Sequence, residues 1–177
     1  MKTRLLSTFL LLTLSLSSNA QEIVGSFYEL AQTGQTKIEL DYSEASIHGM
    51  NEDDFAIYET DWYKDKPMIM GLFMREFSDA LRSSLLFRKN SNNLTIVVKF
   101  TLINTKGDTT LNIHLVKNKG SQDEVILGSI LDIKEEGGSI GSKLNLIKDG
   151  AEHSGEKAGK TLRKVILASF KQNNNAQ

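Results

Sequence analysis

The sequence predicts an α+β fold: a two-layer α/β sandwich with about four strands, mostly antiparallel, and two main helices on one face of the sheet. Four segments alternate apolar and polar residues, which is the period of half-buried strands, and two longer segments carry apolar residues at helical spacing. The chain has 177 residues, of which 40% are hydrophobic and 24% charged. These proportions are typical of a globular domain and exclude collagen, coiled coils and disordered chains.

Residues 1–20 are predicted to be a cleaved signal peptide. Two basic residues precede a mainly apolar run at residues 5–16, and Ser18 and Ala20 are small residues at the positions that a signal peptidase reads. The run is too short for a membrane span, which takes about 20 apolar residues. We therefore expect cleavage before Gln21 and a periplasmic or secreted mature protein.

Composition and charge limit the classes of function. The chain has no Cys, so an exported form has no disulfide, no catalytic thiol and no lipid-modified Cys. Residues 1–20 carry two bases and no acid, so their removal changes the formal net charge from −1 to −3. A mildly acidic chain is a poor candidate for binding nucleic acid. We predict a single domain over residues 21–171, no transmembrane segment, and a disordered polar tail over residues 172–177.

The first half of the domain is predicted to hold one strand and two helices. Alternation over residues 36–43 predicts the strand. Asn51 precedes three acids and can cap a short helix that runs to about Tyr63. The Asp-Lys-Pro sequence at residues 65–67 suits the start of a second helix, which continues over residues 68–87. Its predicted core face comprises Ile69, Met70, Phe73, Met74, Phe77, Ala80, Leu81, Ser84 and Leu85.

The second half is predicted to be a three-stranded meander followed by a long helix. Alternation predicts antiparallel strands at residues 94–102, 111–115 and 124–133. Residues 143–171 form the helix, and its buried stripe has small residues in the middle at Ser154, Gly155 and Ala158. We expect these small residues to let the helix approach the sheet closely.

A Gly-rich loop carries the strongest catalytic pattern. Gly137-Gly138-Ser139-Ile140-Gly141 matches the Gly-x-Ser-x-Gly sequence of a serine nucleophile and lies between a predicted strand and helix. The triad partners in chain order are Asp149 and His153. Both lie along the following helix and away from Ser139, so we predict no catalytic residue. A small serine hydrolase that uses Ser139 is the alternative function.

The same loop is a candidate binding site. Its residues Gly137, Gly138, Ser139, Gly141 and Ser142 precede a helix whose first amides can bind an anion. A Walker loop needs Gly-Lys-Ser or Gly-Lys-Thr, whereas the chain has Ser142 before the lysine, so no nucleotide cofactor is expected. In the structural alternative, the glycines only let the chain pass from strand to helix.

No metal site and no other cofactor are predicted. His48 lies near three consecutive acids at residues 52–54, but this spacing matches no EF-hand. Acids in the first turn of a helix are favoured by its dipole, which explains them without a metal.

A second candidate binding surface comprises Asp61, Trp62 and Tyr63. The segment 58–67 holds three aromatic residues, including the only Trp, among charged residues. Aromatic residues among charges are typical of interface anchors and of platforms for sugar stacking. They also fill the core where two helices meet, so both interpretations stay open.

The last helix has a basic flank formed by Lys157, Lys160 and Lys164. Such a flank could contact an anionic lipid or polysaccharide. Bases near the end of a helix are also favoured by its dipole, so a solvated flank is the alternative.

Four runs of residues resemble a known group of sequences: Ile47–Met50, Tyr58–Pro67, Gly107–Thr110 and Gly141–Leu146. With these runs the chain resembles small exported proteins of Bacteroidota, a group of unassigned activity. The element order also resembles that of small envelope domains that assist outer-membrane or peptidoglycan machinery. The resemblance implies an exported, non-enzymatic module that binds a protein or glycan partner in the cell envelope. A secreted factor that acts on a host is a further alternative.

Overall fold

The computed structural model describes residues 21–32, 36–81, 93–138 and 141–174. The predicted signal peptide lies outside these residues. Within them the strands are β1 (Ile23–Gly25), β2 (Lys37–Asp41), β3 (Ser46–Ile47), β4 (Leu94–Ile103), β5 (Thr109–Lys117) and β6 (Val125–Glu135). The helices are α1 (Tyr28–Gln32), α2 (Glu52–Tyr58), α3 (Trp62–Leu81) and α4 (Lys143–Asn174).

The described residues form an α+β fold with a mixed, open sheet, in the order β1-β6-β5-β4-β2 with β3 also beside β4. The expected α+β class and the antiparallel β4-β5-β6 meander are confirmed. The expectation of about four mostly antiparallel strands is corrected, because six strands are present and both β2 and β3 run parallel to β4. The parallel pairing follows from the connection, since α2 and α3 carry the chain back across the sheet between β2 and β4.

The meander has one buried face. In β5, Leu111, Ile113 and Leu115 are fully buried, and the residues between them are half-buried on the opposite face. Ile113 pairs with Val98 of β4 and with Ile130 of β6, and both partners are also buried. This alternation gives the sheet one apolar face, on which the core lies.

The helix α3 begins earlier than the sequence suggests. Its first residue is Trp62, so Pro67 lies inside the helix and not at its start. Four members of the predicted core face are buried: Ile69, Phe73, Phe77 and Leu81. The Phe73 ring packs edge-on against Phe100 of β4 at 5.1 Å, which places α3 on the apolar face of the sheet. The predicted residues Ser84 and Leu85 lie outside the described part of the chain.

Two glycines of α4, Gly155 and Gly159, lie against the backbone of α3 and not against the sheet. A Cβ atom built on Gly155 would lie 2.5 Å from the carbonyl oxygen of Phe73, and one on Gly159 would lie 2.6 Å from that of Phe77. For Gly155, the prediction of a close approach is therefore right about the residue and wrong about its partner, which is α3. The helix also continues to Asn174, into the tail predicted to be disordered.

Candidate functional site

The corner between α2 and α3 is built around Trp62. Its side chain has no exposed surface, its ring packs edge-on against Phe55 of α2 at 5.2 Å, and its indole N–H donates to Glu52 Oε1 at 3.0 Å. The Lys66 ammonium also donates to that carboxylate oxygen. Trp62 therefore belongs to the core, and the expectation that it presents a binding surface is wrong.

The cap of α2 fixes the other side of this corner. The Asn51 side chain accepts a hydrogen bond from the backbone N–H of Asp54 at 2.8 Å, as the sequence predicts for an N-cap. Glu52, Asp53 and Asp54 lie in the first turn, where the helix dipole favours them. The acids next to His48 thus have a structural explanation. Among the residues that the structure describes, no three His, Cys, Asp or Glu side chains are placed to hold a metal ion.

Three large side chains are exposed at this corner, and we call them the corner surface. They are Ile57, Tyr58 and Tyr63, with 78%, 56% and 59% of their surface exposed. The Tyr63 hydroxyl donates to Asp53 Oδ1 at 3.0 Å, and this hydrogen bond to a carboxylate is the main reason that the pKa of Tyr63 is raised. Asp53 lies one helical turn before Ile57, so Tyr63 and Ile57 lie on the same side of α2.

The start of α4 adjoins the corner surface at Tyr58. The Lys143 ammonium lies 4.0 Å from the centroid of the Tyr58 ring and donates to its hydroxyl. One turn further on, Lys148 forms an ion pair with Asp65 of α3 at 2.8 Å. Gly141 and Ser142 are exposed beside Lys143, whereas Ser139 lies outside the described residues.

The glycines of the predicted loop have structural roles. A Cβ atom on Gly137 would lie 2.2 Å from the Lys106 carbonyl oxygen in the β4–β5 turn, and its N–H donates to Asp108 Oδ1 at 2.8 Å. A Cβ atom on Gly138 would lie 2.7 Å from Asp149 Oδ2. The hydrogen bond from Gly137, and a second one from the Asn104 side chain, lower the pKa of Asp108. Gly137 is thus packed against the backbone of the β4–β5 turn, Gly138 lies beside the Asp149 side chain, and both are half-buried.

A tight turn at residues 47–50, which the sequence analysis did not predict, precedes α2. Ile47 and Met50 exchange backbone hydrogen bonds of 2.7 and 3.0 Å around His48 and Gly49, whose φ angles are +52° and +83°. Two positive φ angles define the type I′ hairpin turn, which usually has Asn-Gly, so His-Gly is a weak sequence signal. Burial, and next the nearby charge of Lys143, lower the pKa of His48.

The opposite face of the sheet carries a Ser–His contact that the sequence pattern also missed. His114 Nδ1 lies 2.8 Å from Ser129 Oγ, and the two residues are direct cross-strand partners in β5 and β6. Burial, and next the charge of Lys99, lower the pKa of His114. A cross-strand partner is sufficient to explain this contact, because it satisfies a half-buried imidazole.

The basic flank of α4 is partly neutralised. Lys157 forms an ion pair with Glu135 at 2.9 Å, and Lys160 forms one with Glu156. Lys164 is exposed. In the described ranges, no helix is both long enough and apolar enough to cross a membrane.

Comparisons with known proteins identify no relative of this chain. No protein-family model, no curated protein and no solved structure matches the chain.

Proposed function

We propose that the chain is an exported, non-enzymatic module of the bacterial cell envelope that binds a protein partner through the corner surface. The observation that carries this proposal is the exposure of Ile57, Tyr58 and Tyr63 at a corner whose other aromatic side chains, Phe55 and Trp62, are buried. Exposed large apolar side chains that lie together with a polar rim are typical of protein-binding surfaces. Tyr is among the residues most enriched at such interfaces.

A protein partner suits these side chains better than a glycan does. Sugars stack on open aromatic faces, but the ammonium group of Lys143 lies over the ring of Tyr58. The most exposed member of the corner surface is Ile57, which is aliphatic and offers a sugar no stacking face. A fixed tyrosine beside an exposed isoleucine is suited to an apolar patch on a protein.

The corner is also fixed in shape before any partner binds. Trp62 and Lys66 both bond to Glu52, and Lys148 ties α4 to Asp65. A surface that is held by core packing and ion pairs loses little conformational entropy on binding. The contact of Lys157 and Lys160 with acidic neighbours makes the basic flank of α4 a weaker candidate for an anionic surface.

The proposal is tested by affinity purification from the native envelope after crosslinking, with the culture medium purified in parallel. Tyr63→Ala should reduce recovery of the partner at least about tenfold, as is typical of an interface anchor. Ile126→Ala is the matched control, because Ile126 is equally exposed, at 58%, and lies in β6. Equal recovery by Tyr63→Ala and the unsubstituted protein would refute the proposal.

Export is tested on the same material. N-terminal sequencing of the purified protein should begin at Gln21, and a chain that retains residues 1–20 would contradict cleavage. Free protein in the medium, with no envelope partner recovered, would support the alternative of a factor that acts on a host.

A further inference from the structure

The interior glycines of α3 and α4 differ in what surrounds them. Three lie in α4: Gly150, Gly155 and Gly159. At each of them, a backbone carbonyl oxygen from another part of the chain lies 2.1 to 2.6 Å from the place where a Cβ atom would be. These three glycines allow other parts of the chain to pass close to the helix. Each is therefore explained by packing within the molecule.

Gly71 of α3 has no such explanation. It is exposed, and apart from its chain neighbours and the nearby backbone of its own helix no atom lies within 4 Å of a Cβ atom built on it. Gly is the least favourable residue inside a helix apart from Pro, so this position lowers helix stability with no internal packing in return. A residue that disfavours its own secondary structure, at a position where the fold does not require it, is typical of a functional site.

Gly71 lies in a row of exposed residues on α3. The row comprises Tyr63, Pro67, Gly71 and Arg75, which are spaced four residues apart and are all exposed. Residues at this spacing form a ridge along one side of a helix, and a missing side chain makes a notch in the ridge. We call this set the outer row. It shares Tyr63 with the corner surface, so the two surfaces are continuous.

A neighbouring side chain extends the outer row. Met68 is 52% exposed beside it, and Met is a flexible apolar side chain common at binding surfaces.

The end of the outer row next to α2 is acidic. Asp53, Asp54 and Asp61 are exposed there, and Glu59 is half-buried. Three bases lie near these acids: Lys64, 3.8 Å from Asp61; Lys66, bonded to Glu52; and Lys143 of α4, over the ring of Tyr58. With Glu52, the acids number five and outnumber these bases. A partner that approaches this end is therefore favoured when it carries positive charge.

We propose that the outer row receives an amphipathic helix of the partner protein, with its backbone closest to α3 at Gly71 and with basic residues over the α2 end. This inference rests on the proposed function and extends the corner surface along α3. The molecule uses the same packing internally, since Gly155 of α4 lets that helix lie against the backbone of Phe73. An apolar helix face contacts Tyr63, Pro67 and Met68, while its Lys or Arg side chains face Asp53 and Asp61.

The test uses two synthetic amphipathic peptides as probes, each about five helical turns long, one of Leu and Lys and one of Leu and Glu. The full mature protein is titrated with each peptide and followed by the backbone amide signals in NMR. The Leu/Lys peptide should shift the amides of residues 57–75, and the Leu/Glu peptide should bind at least about tenfold more weakly. Shifts confined to another part of the chain would overturn the inference.

Two glutamine variants test the notch itself. Gly71→Gln fills it and should weaken binding of the Leu/Lys peptide at least about fivefold, while removal of Gly should leave the protein no less stable. Ala168→Gln is the control, because Ala168 is an exposed residue of α4. Unchanged affinity in Gly71→Gln would overturn the inference.

Recovery of the native partner separates this inference from the proposed function. If Tyr63→Ala loses the partner and Gly71→Gln retains it fully, the helix does not lie along the outer row, whereas the corner surface still binds. If both variants retain the partner, both proposals are wrong. Loss of the partner in both variants supports the inference.

Discussion

Replacing Gly155 with Ala tests the closest contact between α3 and α4. A Cβ atom at this position would lie 2.5 Å from the carbonyl oxygen of Phe73 and 3.1 Å from its Cα atom. Ordinary van der Waals contact begins at 3.4 Å, so the two helices must move apart by about 0.9 Å at this point. Both near atoms belong to the backbone of α3, which cannot rotate away as a flexible side chain can.

Two opposing effects determine how much Gly155→Ala changes the free energy of unfolding. Ala is a better helix former than Gly by about 1 kcal/mol. A gap of about 0.5–1 Å forfeits a quarter to a half of the dispersion energy of the atoms that line it, and overpacking costs about 1–3 kcal/mol. Because Phe73 and Phe77 lose contact together, we expect Gly155→Ala to lower the free energy of unfolding by about 1–2 kcal/mol. The melting temperature should fall by about 3–8 °C for a domain of this size.

Gly71→Ala is the matched control for this experiment. It has the same helix-propensity gain and no contact within 4 Å, so it should raise the free energy of unfolding by about 0.5–1 kcal/mol. Circular dichroism during urea and thermal unfolding measures both variants. If Gly155→Ala is as stable as Gly71→Ala, the close packing of α4 on α3 is wrong.

Three further predictions concern the core, the loop and the alternative function. Trp62→Ala should cost about 3–5 kcal/mol of stability, seen as a fall of about 6–20 °C in melting temperature, and an unchanged melting temperature would contradict its burial. The folded pKa of Asp108 is depressed below its ordinary value of 3.8, so its contribution to stability is present above that value and is lost as pH falls through the folded pKa. The free energy of urea unfolding of Asp108→Asn should therefore fall below that of the unsubstituted protein by more at neutral pH than near pH 3. An equal difference at the two pH values would refute this role of Asp108. A fluorophosphonate probe should leave the folded protein unlabelled, whereas labelling that disappears in Ser139→Ala would establish the serine hydrolase.

Local patterns predicted the elements whose partners are adjacent in sequence. The meander follows from alternation and from turns with Gly, because β4, β5 and β6 pair with their neighbours in the chain. The parallel pairing of β2 with β4 joins segments that are distant in sequence, so no local pattern reveals it. The strand β1 has three exposed residues and no alternation, and it forms a strand only because it pairs with β6 at the edge of the sheet.

At the corner of α2 and α3 the sequence named the right aromatic residues but did not say which of them are buried: Trp62 is in the core and Tyr63 is exposed. The helical projection began at Met68, and extending it backwards would have shown that Trp62 lies seven residues before Ile69, on the same buried side. Tyr63 falls in the row of Pro67 and Gly71, which faces solvent. The stripe of small residues in α4 likewise shows which face is buried, but the sequence does not say whether a sheet or a helix covers it.

Site-specific photocrosslinking shows directly whether the corner surface contacts a partner protein. A photoreactive phenylalanine analogue is placed at Tyr63 in cells of the native organism, and the same analogue at Ile126 is the control of equal exposure. We expect one discrete crosslinked protein from position 63 and none from position 126. Crosslinks from position 126 alone, or from neither position, would contradict the claim.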